Sequence, residues 1–299
     1  MNQSSHCAVK NTGANSSCLA LLLTLLCAVL ILPADLQAQE SPELPSLQLQ
    51  RFRLAPGPGD YLTVFSTSVP EHLDWYISGF VDYADDPMQV ATLDSPYSRT
   101  VDHQIHASLM GSIAFLDIIE VGLLVPVLVS QSSENLQPLL PVGTPRTTNL
   151  QSTALGDWRL SAKYQLFNLN EFPVGLAFVT ALSLPFGGKN AFGSDGGVGA
   201  EAMVAADYVV FNSIRLGGNL GYRYRHKSRN MRDTIVGDEI SFGVALHSPL
   251  LFENLDGLLE LAGGLNIAGK GPDRSGRNES DVPVEIRGAL RYLLPNNWT

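Results

Sequence analysis

The chain has 299 residues, 45% of them hydrophobic and 16% charged, and a formal net charge of −10. This composition excludes intrinsic disorder and a bundle of transmembrane helices. The acidic balance argues against a nucleic-acid partner, which a basic stripe would indicate.

The first 38 residues have the pattern of a secretory signal peptide. Leu19–Leu32 is an apolar run, and Leu36–Ala38 resembles a cleavage site, so we expect cleavage after Ala38. A single membrane anchor is the alternative, but the run is shorter than the roughly 20 residues that a spanning helix needs. The cysteines all lie in this segment: Cys7, Cys18 and Cys27. The mature chain is therefore expected to have no disulfide and no thiolate metal site.

Residues 39–70 form a proline-rich lead-in, in which the pattern allows a short extra strand over Tyr61–Thr67. We interpret this segment as a periplasmic extension that lies against the floor of a barrel or enters its lumen. The third predicted unit, residues 71–299, is the barrel itself.

Apolar and polar residues then alternate with a period of two, as in β-strands with two different faces. In the hairpin Gly156–Pro185, for example, Leu160 and Tyr164 alternate with Arg159 and Lys163. Each arm has about the 9–11 residues that a tilted strand needs to cross a bilayer. About ten strands are predicted, over residues 73–83, 101–115, 119–129, 158–166, 174–184, 198–210, 214–226, 240–246, 259–267 and 284–294.

The connections between these strands alternate in length. Those near Leu116, Asn168 and Asn212 are short. The long polar ones span Ala84–Thr100, Gln131–Thr153, Phe186–Gly197, Lys227–Gly237 and Lys270–Asp281. Short periplasmic turns and long extracellular loops are typical of an outer-membrane barrel. The predicted fold is therefore all-β, a closed antiparallel transmembrane β-barrel.

Periodicity alone does not decide whether the apolar face points into a core or out into lipid. A soluble sandwich or lipocalin-like barrel would place that face inside. Long strands and a highly charged opposite face favour lipid, as do aromatic residues near the strand ends. These aromatic residues are Trp75, Tyr83, Phe115, Trp158, Tyr208 and Tyr224.

Four stretches carry a resemblance to a known family. They are QRFRLAPGPGDY, HLDWYISGFVDYADDP, LPFGGKNAFGSDGGVGAE and RGALRYLLPNN. Together they resemble the barrel module of OmpA-like outer-membrane proteins of Gram-negative bacteria, over most of residues 47–297. The resemblance implies a barrel fold and assigns no functional residue. Such proteins often carry a following peptidoglycan-binding domain, whose activity is not expected here because the sequence stops at Thr299. Gly288 and Tyr292 in the last strand loosely resemble the signal read by the barrel-assembly machinery.

No local catalytic or cofactor motif is present: there is no G-x-S-x-G, no H-E-x-x-H and no phosphate-binding loop. We therefore expect no enzyme, no cofactor and no metal. The enzymatic alternative is a surface protease built from Asp and His near the extracellular rim, where a His–carboxylate pair could activate water. Its candidates are Asp82, Asp85, Asp86, Asp102 and His106. A third class is adhesion or partner docking through the long loops.

The predicted function is an outer-membrane barrel with a structural or narrow, porin-like small-solute pore role, surrounded by lipid and lipopolysaccharide. Its oligomeric state is left open. The predicted pore-lining charges are Asp82, Asp102, His106, Glu120, Arg159, Lys163, Glu201, Arg215, Arg223, Arg225, Glu239, Arg287 and Arg291.

Strand counting further predicts which of these charges pair across the lumen face. The expected pairs are Glu201 with Arg223, Asp207 with Arg215, and Arg225 with Glu239. A second cluster is expected to join Arg287 and Arg291 to Asp82, Asp74 or Glu260. Matched charges favour a narrow interior, because an unpaired charge is costly there.

Overall fold

The computed structural model describes residues 48–49, 52–90, 98–133, 136, 150–188, 191–211, 213–226, 229–231, 234–250, 255–267 and 283–292. The predicted signal peptide lies outside these residues, as does the loop over 270–281. The strands, in chain order, are β1 (Trp75–Val90), β2 (Ser98–Phe115), β3 (Ile119–Ser132), β4 (Ala154–Leu155), β5 (Trp158–Phe167), β6 (Gly175–Leu184), β7 (Gly199–Val210), β8 (Ile214–Arg225), β9 (Arg229–Met231), β10 (Thr234–Val236), β11 (Glu239–Pro249), β12 (Leu255–Asn266) and β13 (Val284–Tyr292). Within the described residues no helix has the length and hydropathy of a membrane span.

Ten of the strands form one antiparallel sheet, in the order β1-β2-β3-β5-β6-β7-β8-β11-β12-β13, and β4 pairs with β3. This agrees with the predicted strand number. The strands β9 and β10 form a separate hairpin. In the described part of the chain β1 and β13 are the edge strands, with no backbone pairing between them. The sheet is curled like part of a barrel, which gives it an inner and an outer face.

The inner face of the sheet carries buried charge, and the outer face carries exposed hydrophobic side chains. In β5, Arg159 and Lys163 are 6% and 2% exposed, whereas Leu160 and Tyr164 are 42% and 45% exposed. The same alternation continues in its neighbours, with outward Phe178 and Leu182 in β6, Val204 and Tyr208 in β7, Leu220 in β8, Val244 in β11, Leu259 and Leu261 in β12, and Ile286 and Leu290 in β13. This arrangement is the reverse of the one in a soluble sheet, where the apolar face is covered.

Several predicted boundaries were wrong. The predicted loop over Ala84–Thr100 is largely strand, because β1 continues to Val90 and β2 begins at Ser98. The predicted loop over Lys227–Gly237 contains the hairpin of β9 and β10.

The irregular stretch Phe52–Pro70, which we call the inner segment, packs against the inner face of the sheet. The extra strand allowed over Tyr61–Thr67 is absent. Tyr61, Val64 and Phe65 in this stretch are 1–5% exposed. A Cβ atom added at Gly217 in β8 would overlap the ring of Tyr61, so a glycine is needed there for close packing.

Candidate functional site: the inner face and its segment

Carboxylates on the strands hold the backbone of the inner segment. Glu260 in β12 accepts hydrogen bonds from the backbone N–H groups of Leu62, Thr63 and Val64 at 2.5, 3.0 and 3.2 Å, and from Thr63 Oγ1 at 2.9 Å. An irregular segment has no strand partner for its N–H groups, and burial without a partner would be costly. Glu260 therefore substitutes for a missing neighbouring strand.

Asp207 in β7 holds a second point of the inner segment. It accepts hydrogen bonds from Tyr61 Oη at 2.9 Å, from Thr67 N at 2.7 Å and from Thr67 Oγ1 at 3.0 Å. Burial and the nearby charge of Asp207 raise the pKa of Tyr61, which stays a neutral donor. Asn219 in β8 donates to Phe65 O at 2.9 Å and accepts from Phe65 N at 2.7 Å.

A buried ion-pair group joins the inner segment to β3 and β5. Lys163 Nζ lies 2.8 Å from Asp60 Oδ1 and 2.7 Å from Glu120 Oε2, and all three side chains are at most 3% exposed. Asp60 also accepts from the backbone N–H groups of Gly57 and Ser66 at 2.9 and 2.8 Å. Lys163 thus compensates two carboxylates in an environment that excludes water.

The largest charge cluster on the inner face joins β5, β7, β8 and β11. Glu201 pairs with Arg159 at 2.8 Å and with Arg223 at 3.2 Å, and Glu239 pairs with Arg223 at 2.6 Å and with Arg225 at 3.0 Å. Glu201 lies directly opposite Arg223, and Arg223 lies opposite Glu239. The predicted pairs Glu201–Arg223 and Arg225–Glu239 are therefore present.

The predicted pair of Asp207 with Arg215 is wrong. Asp207 lies opposite Gly217, so Arg215 is displaced by two residues along β8 and lies opposite Val209. Arg215 instead donates to Gly59 O at 2.6 Å and stacks over the ring of Tyr61 at 4.8 Å. Asp207 and Arg215 each bind the inner segment instead of each other, and a count along the strands does not include that segment.

At the last strand the predicted cluster is present in part. Arg287 lies 3.9 Å from Glu260 and 2.5 Å from Glu285, and it donates to Thr63 Oγ1 at 2.6 Å. Arg291 donates to the backbone carbonyl groups of Pro58 and Asp60 at 3.0 and 3.3 Å. Of the predicted partners, Glu260 pairs with Arg287.

Of the residues predicted for the protease rim, Asp82 and His106 lie next to each other, whereas Asp102 contacts His103, which is not a predicted candidate, and Asp85 accepts a hydrogen bond from Tyr83 Oη at 3.4 Å. Asp82 Oδ1 lies 3.6 Å from His106 Nδ1, and both side chains are largely buried. Asp102 Oδ2 and Ser132 Oγ both contact His103 Nδ1, at 3.2 and 2.9 Å. A catalytic triad places the nucleophile and the carboxylate on opposite ring nitrogens, and this group does not. In the described residues no group of His, Cys, Asp and Glu is arranged to hold a metal ion.

Sequence reasoning missed Arg53 and Asp195. Arg53 Nη2 donates to Asp195 Oδ2 at 3.3 Å and to Gln48 Oε1 at 3.2 Å. Burial acts to raise the pKa of Asp195, but Arg53, Arg225 and the hydrogen bond from Gln48 N together lower it below its usual value. Both residues lie in irregular stretches, where no periodicity marks an inward direction.

Small cavities lie between the inner segment and the sheet in the described part of the chain, and two of them share lining residues. The larger is about 80 Å³ and is lined by Arg53, Arg159, Glu201, Arg223, Glu239 and Arg287, among others. The smaller is about 20 Å³ and lies beside Phe52, Leu124 and His106. Arg53 and Arg159 line both of them. Both cavities are small, and charged side chains form much of the lining of the larger one.

No protein-family model matches the chain, and no curated protein matches it at a significant level. Among solved structures, the chain is similar to an outer membrane channel from Pseudomonas putida F1. The two share 15% sequence identity with a TM-score of 0.46, over 70% of this chain and 76% of that chain. The resemblance to OmpA-like barrel modules stays a prediction, since no family model supports it.

Proposed function

We propose that the protein is an outer-membrane β-barrel that forms a narrow pore for small solutes. The observation that carries this proposal is the inverted sheet, with charged side chains buried on the inner face and hydrophobic side chains exposed on the outer face. In water such an outer face would be unfavourable, whereas in a bilayer it matches the hydrocarbon. The role involves transport and no catalysis.

The proposed barrel closes by pairing of β1 with β13. Open sheet edges do not occur in the hydrocarbon region, because their backbone groups would lack partners. The ring of Phe52 contacts Phe80 of β1 at 5.2 Å and Arg287 of β13 at 5.0 Å, so the two edges approach the same side chain. Tyr76 of β1 also lies within electrostatic range of Arg291. If Phe80 is placed opposite Arg287, Tyr76 falls opposite Arg291, so that both contacts fit the same antiparallel register of β1 and β13.

The proposed orientation places the short turns in the periplasm and the long connections outside the cell. Aromatic side chains are exposed near both ends of the strands, as in the girdles of outer-membrane barrels. Trp75, Tyr208 and Phe211 lie toward the short turns, while Tyr83 and Tyr224 lie toward the long connections. Lipopolysaccharide and the barrel-assembly machinery are the partners that this location implies.

A narrow bore is favoured over a wide channel. Ten strands enclose little more space than eight, which side chains can fill. Here the inner segment occupies much of that space, held by its ion pair with Lys163 and by its hydrogen bonds to Glu260 and Asp207. We therefore expect a pore of low conductance.

The test is to purify the protein from isolated outer membranes and to measure its conductance in planar bilayers. Expected results are recovery in the outer-membrane fraction, heat-modifiable migration on gels, and small, stable current steps. Recovery as a soluble periplasmic protein would overturn the membrane proposal. Large porin-like steps, or no steps from correctly folded protein, would overturn the narrow pore.

A further inference from the structure

The larger cavity, of about 80 Å³, has more positive than negative charge on the wall that includes Arg53 and Arg159. On this wall the cavity is lined by three arginines, Arg53, Arg159 and Arg223, and by two carboxylates, Glu201 and Glu239, while Arg225 and Asp195 pair with members of this group from outside the lining. Across the cavity Arg287 is already paired with Glu285 and Glu260. The positive excess is therefore located on the wall formed by the inner segment and β5.

Two guanidinium groups on this wall have an N–H donor with a weak hydrogen-bond partner, or with none among the described residues. Arg159 is 6% exposed, its Nη2 atom binds Glu201 at 2.8 Å, and its buried Nε atom has no hydrogen-bond partner among the described residues. Among the described residues Arg53 Nη1 has one hydrogen-bond partner, Ser183 Oγ, at the long distance of 3.5 Å. A buried charged donor without a partner is unfavourable, so a ligand that accepts these hydrogen bonds would be stabilised.

The charges that act on Arg53 are also mostly positive. Burial, which is the largest effect, lowers the pKa of Arg53 to about 9, and the neighbouring Arg223, Arg225 and Arg159 contribute to that lowering. Asp195 acts in the opposite direction but does not compensate for them. A negative charge placed here would relieve the repulsion between the arginines.

We propose that the wall formed by Arg53 and Arg159 is a binding site for a small monovalent carboxylate. The fork of a guanidinium group matches the two oxygens of a carboxylate. A single water needs roughly 10–15 Å³ of such space, so the cavity of about 80 Å³ has room for formate or acetate but not for a sugar. The cavity is lined by Glu201, Arg223 and Glu239 and lies toward the strand ends that are joined by the long connections.

This proposal deepens the pore function, because it names small carboxylates as the solutes that the narrow lumen recognises. The experiment is isothermal titration of sodium formate into purified, detergent-solubilised protein, with ionic strength held constant by a bulky anion. We expect saturable binding by the wild type. Arg53→Gln should weaken that binding by about tenfold or more, since it removes one charge and one fork.

Arg291→Gln is the matched control. It also removes a guanidinium that contacts the inner segment, but Arg291 donates to Pro58 and Asp60 carbonyl groups away from this cavity. We expect its affinity for formate to equal that of the wild type. Arg53→Lys should bind with intermediate affinity, because lysine keeps the charge and loses the fork.

Lack of saturable binding by the wild type would overturn the carboxylate site, as would equal affinity in Arg53→Gln and the wild type. Because the titration needs no ion current, its outcome is independent of the pore test. A protein that conducts without binding formate overturns the site alone, and one that binds without conducting overturns the pore alone.

Discussion

Lys163 Nζ in β5 lies 2.8 Å from Asp60 Oδ1 in the inner segment, and both side chains are at most 2% exposed. The same Nζ atom lies 2.7 Å from Glu120 in β3. One lysine thus links two neighbouring strands to the segment that crosses them. Without it, two buried carboxylates would face each other.

Lys163→Met is therefore expected to destabilise the protein by roughly 3–5 kcal/mol, as for the loss of one partner of a buried ion pair. The measurement is urea unfolding of the protein in lipid vesicles. Adding Asp60→Asn should restore part of the loss, because one of the unpaired charges is then removed. The exposed neighbour Tyr164, changed to phenylalanine, is the control and should have little effect. Wild-type stability of Lys163→Met would contradict the importance of this link.

Glu260→Gln is expected to loosen the inner segment. The substitution keeps the shape of the side chain but directs an amide N–H₂ group toward donors that now bind Glu260, at Thr63 N and Val64 N. We expect larger current steps and faster trypsin cleavage after Arg53, with the fragment identified by mass. Glu285→Gln, the same change at a side chain that is 40% exposed in β13, is the control. Equal cleavage rates in both variants would show that Glu260 does not fix the segment.

The proposed closure of the barrel predicts a specific cross-link between the edge strands. In the proposed register, with Phe80 opposite Arg287, Ser78 of β1 would lie opposite Ala289 of β13, and both positions belong to the inner face. Cysteines placed at these two positions should form a disulfide under mild oxidation, because opposite residues in a ladder have suitable Cβ separations. The boiled protein should then migrate faster than its reduced form.

Ser78→Cys combined with Ser241→Cys is the control for that experiment. Ser241 also belongs to the inner face, but it lies in β11, two strands away from β13. We expect no cross-link in this variant. A cross-link in both variants, or in neither, would argue against closure in this register.

The stability of the inner segment is expected to fall in acid through Asp195. The folded pKa of this carboxyl is lowered by Arg53 and Arg225 against the effect of burial, so the folded state favours its charged form. Its contribution is complete above the unfolded value of about 4 and is lost as the pH falls through the folded pKa. Urea unfolding between about pH 6 and pH 3 measures this loss, and Asp195→Asn should have a shallower pH profile. Parallel profiles would show that Asp195 does not contribute.

Pairs between neighbouring strands could be predicted from the sequence because a short turn fixes the register of a hairpin. Counting from the turn between β7 and β8 is enough to place Glu201 opposite Arg223. The count fails by two residues for Asp207 and Arg215, where the tertiary structure supplies other partners. Asp207 binds Thr67, and Arg215 binds Gly59, both from a segment distant in sequence.

The sequence by itself determined that the chain forms about ten strands with two unlike faces, since a period of two is a local property of extended backbone. Only the tertiary structure decided that the charged face is the buried one, because the direction in which a sheet curls depends on contacts among all its strands. It also decided the place of the inner segment. Phe52–Pro70 has no periodicity, and its position follows from side chains such as Glu260 and Lys163 that lie far along the chain and supply its missing hydrogen bonds and charges.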